Sequence, residues 1–145
     1  MDTDAKPTTG LPSREKYNAF ISGLELRSIV LESCKVEFIP ENYTAGGGAI
    51  SFKSDVAFDV LRDSVLDALV SVRARAKPHG ALKMCTKFDC TYRLSYVVPS
   101  EPDDAMLEAF SRNVEINAWP YVRELMHSLT QRMTGPTLLL PLRKG

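Results

Sequence analysis

The sequence predicts a two-layer α+β domain, a four-stranded antiparallel sheet packed against one long, proline-kinked C-terminal helix. Three observations predict it. Residues 65–77 and 81–98 alternate apolar and polar side chains at period two, the mark of half-buried strands. Residues 100–134 carry apolar side chains at spacings of three and four, the mark of a helix with one buried face. The chain has 145 residues, 44% hydrophobic and 25% charged, enough for one domain with a real core.

Residues 1–13 are polar, with Pro7, Gly10 and Pro12, and read as the start of a disordered tail. The expected division is a tail over 1–19, a folded domain over 20–142 and a short end over 143–145. A first strand is expected from Leu24 to Ile39, with Leu26, Val30, Cys34, Val36 and Phe38 on one side and Ser28 and Glu32 interrupting. Ile29 and Leu31 then share the other side with Glu25, Arg27, Lys35 and Glu37, a mixed face. Pro40 to Gly48 reads as a loop made mobile by Gly46, Gly47 and Gly48. Those glycines lack the Lys-Ser or Lys-Thr and the βαβ setting of a phosphate cradle.

Ile50 to Leu61 is the second strand, with a change of phase expected near Asp55 that suggests a bulge, a bend or two short segments. Arg62, Asp63 and Ser64 suggest a turn. Val65 to Lys77 is the third strand, with Leu66, Ala68, Val70, Val72, Ala74 and Ala76 on one face. A helix over Asp59–Val72 competes, and the valines and later alternation favour strand. Pro78-His79-Gly80 is a tight connection to the fourth strand, Ala81 to Val98, where Leu82, Met84, Phe88, Cys90, Tyr92, Leu94, Tyr96 and Val98 share a face.

The helix is expected to begin with Ser100 as N-cap, Asp103 completing a capping box and Pro102 in the first turn. Its stripe is Leu107, Phe110, Val114, Ala118, Tyr121, Leu125 and Leu129, and Gly135 and Pro136 stop it. On this stripe Leu125→Ala is expected to cost roughly 2–5 kcal/mol. Pro120 should kink or divide the helix near Asn117, because it lacks an amide and crowds the carbonyl four residues back.

Chemistry is poorly supported. Lys and Arg number 18 against 18 Asp and Glu, so no bulk field draws nucleic acid or an anionic membrane. No stretch is long enough to cross a membrane and no signal peptide is evident. Cys34, Cys85 and Cys90 form an odd set without C-x-x-C, which favours a reducing compartment, the cytoplasm, and buried thiols. His79 and His127 are the only histidines, too few for a metal site without further ligands. No G-x-S-x-G or H-E-x-x-H motif is present, and neither an enzyme nor a cofactor is expected. Arg73, Arg75, Lys77, Lys83, Lys87 and Arg93 form a basic row, but Phe88, Tyr92 and Tyr96 lie on the opposite face. A nucleic-acid platform interleaves the two, so a solvated sheet face is the simpler reading.

The unusual feature is surplus apolar surface. Trp119, Tyr121, Met126 and Met133 add to the helix stripe, and Leu138, Leu139, Leu140 and Leu142 crowd a proline-bounded tail. Such a surplus marks subunit contacts or a groove for an apolar partner.

The run N-A-W-P-Y-V-R-E-L-M-H-S-L-T-Q-R-M-T-G-P-T-L-L-L-P-L, Asn117 to Leu142, resembles the SecB family of preprotein-export chaperones. Pro120, Tyr121, Arg123 and Glu124 match the family's Pro-Tyr-x-Arg-Glu, followed by Gly135, Pro136 and the leucines. The resemblance implies an ATP-independent holdase for unfolded polypeptide, assembled as a homodimer or dimer of dimers. It implies a client groove around Phe38, Phe52, Phe88, Tyr92, Leu138, Leu140 and Leu142. Trp119, Pro120, Tyr121, Arg123, Glu124 and Leu125 become helix architecture or interface residues, Arg123 and Glu124 through an ion pair or a helix contact. The sequence ends soon after the leucines, so the expected member is a shortened one without the second C-terminal helix that flanks the groove in export SecB. Export members are acidic and dock on a translocase motor subunit. This chain is neutral and has a basic row instead, so the resemblance leaves open both a role in protein export, with a translocase motor subunit as partner, and a place nearer the antitoxin-associated members that protect one dedicated client. The alternative is a scaffold or small apolar-ligand binder of the same fold, its groove closed by its own tail.

Overall fold

A computed structural model describes residues 11–59 and 62–142. The tail expected at 1–10, Val60, Leu61 and the end at 143–145 lie outside the described residues.

Helix α1, Arg14–Ser22, occupies sequence expected to belong to the tail. Ser13 caps it, its hydroxyl accepting from the Lys16 amide at 3.2 Å. One apolar side chain anchors it: Phe20 is buried edge-on against Phe110, ring centres 5.5 Å apart. So short a helix is marginal alone and depends on that packing.

Strands β1 (Glu25–Phe38), β2 (Gly48–Phe58), β3 (Val65–Pro78) and β4 (Thr86–Val97) form one antiparallel sheet in the order β1-β4-β3-β2. Strands β2, β3 and β4 are a meander, and β1 reaches across to pair with β4. Two register shifts, between Leu26 and Ser28 and between Leu31 and Ser33, break β1. They correct the expected facing. Each extra residue inverts the side-chain phase, so Leu26, Ile29, Leu31, Cys34, Val36 and Phe38 all stand opposite inward-facing residues of β4 or beside them. Val30, paired with Arg93, turns to the outer face.

The opposite correction applies to β2. Its register runs unbroken from Gly48 opposite Pro78 to Phe58 opposite Ala68, with no bulge at Asp55. Ser54 keeps the inward phase and stays there because its hydroxyl donates to Glu115 on the helix. Arg62 and Val65 exchange backbone hydrogen bonds of 3.1 and 2.8 Å around Asp63 and Ser64, whose φ values are 50° and 64°. Two positive φ values mark the turn whose twist matches the flanking strands. Beyond β3 the chain loops from His79 to Cys85 before β4 begins at Thr86, five residues later than expected. Gly80 has φ 78°, and Leu82, expected on the apolar face, is 94% exposed.

Helix α2, Asp104–Gln131, runs undivided through Pro120. Its cap is Asp103 rather than Ser100: the carboxylate accepts from the Met106 amide at 2.8 Å and meets the positive helix end. Pro102 therefore precedes the helix. The buried row is Met106, Phe110, Val114, Ala118, Val122, Met126 and Thr130, with Trp119 beside it. Every step in that row is four residues, which advances about 40° around the axis. The buried face thus winds around α2. Its first half lies on the sheet and α1, whereas Thr130 in its second half meets the chain's own tail. A straight stripe through Tyr121 and Leu125 misses this: Tyr121 is half exposed, Leu125 half buried, and Val122 and Met126 take the core positions.

Candidate functional site

Helix α2 lies along the inner face of the sheet and leaves a flank on either side. Phe52 of β2 meets Trp119 at 5.1 Å, and Ser54 bonds Glu115, so this side of the helix overlooks β2. Tyr92 of β4 meets Tyr121 at 6.3 Å, its hydroxyl donating to the Tyr121 carbonyl at 3.3 Å. Tyr121, Leu125 and Leu129, one above another at spacings of four, therefore overlook β4 and β1.

The β2 flank is filled from within the chain. After α2 the backbone turns at Gly135, where the Phe38 ring lies so close that any Cβ would collide with it. The tail then runs extended back beside the helix. Leu138 and Leu140 are buried and Leu139 is exposed, a strand-like alternation. Three side chains hold its backbone. Thr130 Oγ1 accepts from the Leu138 amide at 2.9 Å, Arg123 Nε donates to the Leu140 carbonyl at 2.6 Å, and Trp119 Nε1 donates to the Pro141 carbonyl at 2.7 Å. Beside Leu138 remains a cavity of about 220 Å³ whose walls include Tyr43, Ile50, Ala76, Cys85 and Pro136.

The β1 flank is open. Leu26 is 40% exposed, Leu31 39% and Tyr121 49%, with Ile29, Val36 and Leu125 half buried between the strand and the helix. Cys34 lies in the same inward row, directly opposite Cys90 of β4. Burial pushes the Cys90 thiol up to about 12, with smaller contributions from Cys34 and Asp89. Burial likewise raises the Tyr92 phenol to about 12. Both are neutral at physiological pH, so the floor of this flank is uncharged.

The residues expected to form one groove are thus divided. Tyr92 is on the β1 side, while Phe52, Leu138 and Leu140 belong to the β2 side. Phe38 sits at the end of the sheet under Gly135 and beside Tyr43, 5.5 Å away. Phe88 is wholly buried under the helix layer and lines neither surface; Leu142 is 69% exposed. Among the helix residues, Trp119 is core, Pro120 is exposed, and Arg123 ties down the tail. Strict alternation along β1 does not reveal Leu26, Ile29 and Leu31 as a shared wall. The signal was present, since Ser28 and Glu32 interrupt the alternation where the register shifts.

On the outer face of the sheet, Arg93 and Arg75 are held in ion pairs. Arg93 reaches Glu32 at 2.6 Å, Asp67 at 2.8 Å and Asp59 at 3.1 Å, and Arg75 reaches Asp89 at 2.8 Å. Hydrogen bonds to Glu32, then Asp59 and Asp67, hold the Arg93 guanidinium still more firmly protonated. Arginines engaged this way are not free to meet phosphates. Among the described residues no group of three or more His, Cys, Asp or Glu is gathered to hold a metal. No described helix is long and apolar enough to cross a membrane.

Four antiparallel strands in the order β1-β4-β3-β2 with one long helix across them are the SecB-like chaperone fold. The chain superposes on the Mycobacterium tuberculosis Rv1957 SecB-like chaperone, solved in complex with a ChAD peptide from the Rv1956 HigA1 antitoxin, with a TM-score of 0.75. The match covers 90% of this chain and 98% of that one at 18% identity, a likeness of fold. A protein of unknown function from Streptococcus agalactiae matches at TM-score 0.42 and 12% identity, over 82% of this chain and 97% of that one. No family model and no curated protein matches the sequence.

Proposed function

We propose that this protein is an ATP-independent holdase that binds non-native polypeptide, in the service of a dedicated client. The open β1 flank carries this reading: Leu26, Leu31 and Tyr121 form an exposed apolar wall over an uncharged floor. Exposed apolar surface of that kind is costly in water unless a partner uses it. The fold neighbour in complex with an antitoxin peptide supports a dedicated client over general export. Zero formal charge supports the same choice, because the chain carries no net negative charge to draw a basic translocase motor. Homodimer or dimer-of-dimers assembly and a cytoplasmic setting belong to the same proposal. No reaction, cofactor or metal enters it.

The test is sedimentation of the purified protein with a chemically unfolded, reduced model client and with the same client folded. Complex formation with the unfolded form alone, unchanged by ATP, is the expected result. Leu31→Asp should weaken that complex about tenfold, or roughly 1.4 kcal/mol, without lowering the melting temperature. An oligomer that ignores unfolded chains would leave only the fold.

One observation favours a second reading. Leu138 and Leu140 are buried in the β2 flank, as a scaffold or small apolar-ligand binder of this fold would require. Such a protein would sediment unchanged in the presence of unfolded client.

A further inference from the structure

We propose that Cys34 and Cys90 are a redox modification site, where hydrogen peroxide joins the two thiols as a disulfide that fastens the edge strand β1 to β4. The proposal stands apart from the holdase reading.

A bulge makes the pair. Leu31 stands opposite Tyr92, while Ser33, two residues on, stands opposite Thr91, only one residue on. Glu32 is the extra residue, and Arg93 Nε holds it on the outer face by donating to its carboxylate at 2.6 Å. Unbroken pairing from Leu31 would set Cys34 against Asp89 and leave Ser33 facing Cys90. With the bulge, Cys34 and Cys90 are directly opposite and share one face of the sheet.

Residues opposed in this way have Cα atoms about 4.5 or 5.5 Å apart, and a disulfide spans about 4.4–6.8 Å. Their Cβ atoms sit slightly further apart than a relaxed disulfide prefers, so the bridge is strained and readily reduced. Strand β1 can make the small approach because it ends the sheet. Easily reversed bridges are the kind that serve regulation where the surroundings are reducing.

Exposure divides the roles. Cys34 is exposed and meets the oxidant, whereas Cys90 is 3% exposed and is reached by its neighbour. Cys85 is buried just before β4, and its backbone bonds Ile39 and Ala76, well along the ladder from Cys34. The Cys34 sulfur attacks one peroxide oxygen, the O–O bond breaks, and the departing hydroxide takes the Cys34 proton as water. The Cys90 sulfur then attacks the sulfenic sulfur, the S–O bond breaks, and hydroxide leaves as a second water with the Cys90 proton. The two sulfurs together lose the electron pair that peroxide gains. Burial, then Asp89, raises the Cys34 thiol, so its thiolate is scarce and the site answers to sustained oxidant.

An edge strand opens more easily than a central one. A bridge within β1 stops it from peeling off or slipping past its bulge. It also closes a long chain loop, where a cross-link restrains the unfolded state most.

The test treats the full-length protein with hydrogen peroxide and then dithiothreitol, following intact mass and mapping disulfides after digestion without reductant. The folded protein should lose two hydrogens, regain them with dithiothreitol, and yield a single linked peptide pair, Cys34 with Cys90. Oxidation should raise the melting temperature by at least about 3 °C and slow β1 amide exchange about tenfold, with β2 little changed. Cys85→Ala should behave as the parent. Cys90→Ala should stop at the Cys34 sulfenic acid, which dimedone traps, with no gain in melting temperature. Parent protein that collects oxygen at Cys34 without bridging would overturn the proposal. So would a bridge that includes Cys85, or a Cys34–Cys34 link between two chains. A Cys34–Cys90 bridge that lowers the melting temperature would overturn it too, because β1 would then be pulled off β4 instead of fastened to it.

Discussion

Met126 and Leu125 are neighbours on α2, yet Met126 is sealed in the core while Leu125 is half buried. Removing the methionine leaves a cavity that rigid neighbours cannot fill, so Met126→Ala should cost about 2–5 kcal/mol. Tyr121→Ala loses mainly its contact with Tyr92 and should cost about 0.5–1.5 kcal/mol. Thermal melts of the two variants check the ordering; equal costs would contradict the wound row. The thiols give a second residue-scale expectation. Cys90 is raised from 9.0 to about 12, with burial the leading cause, so its thiolate is scarce at neutral pH. Alkylation of the folded protein at Cys90 should therefore lag far behind the unfolded chain and speed up with pH. The sign for stability follows from the same shift. A fold that favours the protonated thiol keeps that contribution below pH 9.0 and loses it progressively as pH rises towards about 12. Tyr92, raised from 10.0 to about 12, adds to the loss over the upper part of that range. Cys90→Ala should hold its melting temperature to higher pH than the parent protein; coincident curves would refute the assignment.

At the scale of elements, local chemistry sets the boundaries. Asp103→Ala removes the cap of α2 and should lower stability by about 1 kcal/mol in denaturant unfolding. Asp63 and Ser64 both hold positive φ, a conformation that asparagine and glycine adopt more readily. Asp63→Asn with Ser64→Gly should gain roughly 0.5–1 kcal/mol in the same experiment. Such details also explain what could be read from the sequence. Strand β3 alternates cleanly because it is central and paired on both sides, which leaves no freedom to slip. Strand β1, at the edge, absorbs two extra residues, and a strict period of two cannot describe it. Helix α1 holds a single buried apolar residue, Phe20, too little periodicity to recognise. Alternation places the start of β4 too early, because Leu82 and Met84 continue the pattern through a loop that Gly80 has already turned aside.

At the scale of the molecule, the layer order was legible and the division of the site was not. Alternation and helical spacing specify which side of each element is apolar. They do not specify that the tail would fill one side of α2 and leave the other open. That depends on Thr130, Arg123 and Trp119, whose bonds to the tail backbone have no sequence signature. Apolar binding at the open side also predicts an ionic-strength response. Client affinity should hold or rise with salt, because burial of apolar surface is not screened. A steep fall would point instead to the charged outer face.

The pairing of β1 with β4 carries a consequence for how the chain is made. Glu25 stands opposite Val97, so the first strand synthesised must wait for the last before it finds its place. The meander of β2, β3 and β4 closes through short connections and should assemble early, whereas β1 pays for a much longer loop. During refolding, amides of β3 should gain exchange protection before those of β1; simultaneous protection would argue against this order. Until β4 appears, Leu26, Ile29 and Leu31 are bare on a nascent chain. A protein proposed to shelter unfinished polypeptides thus begins its own life as one of them.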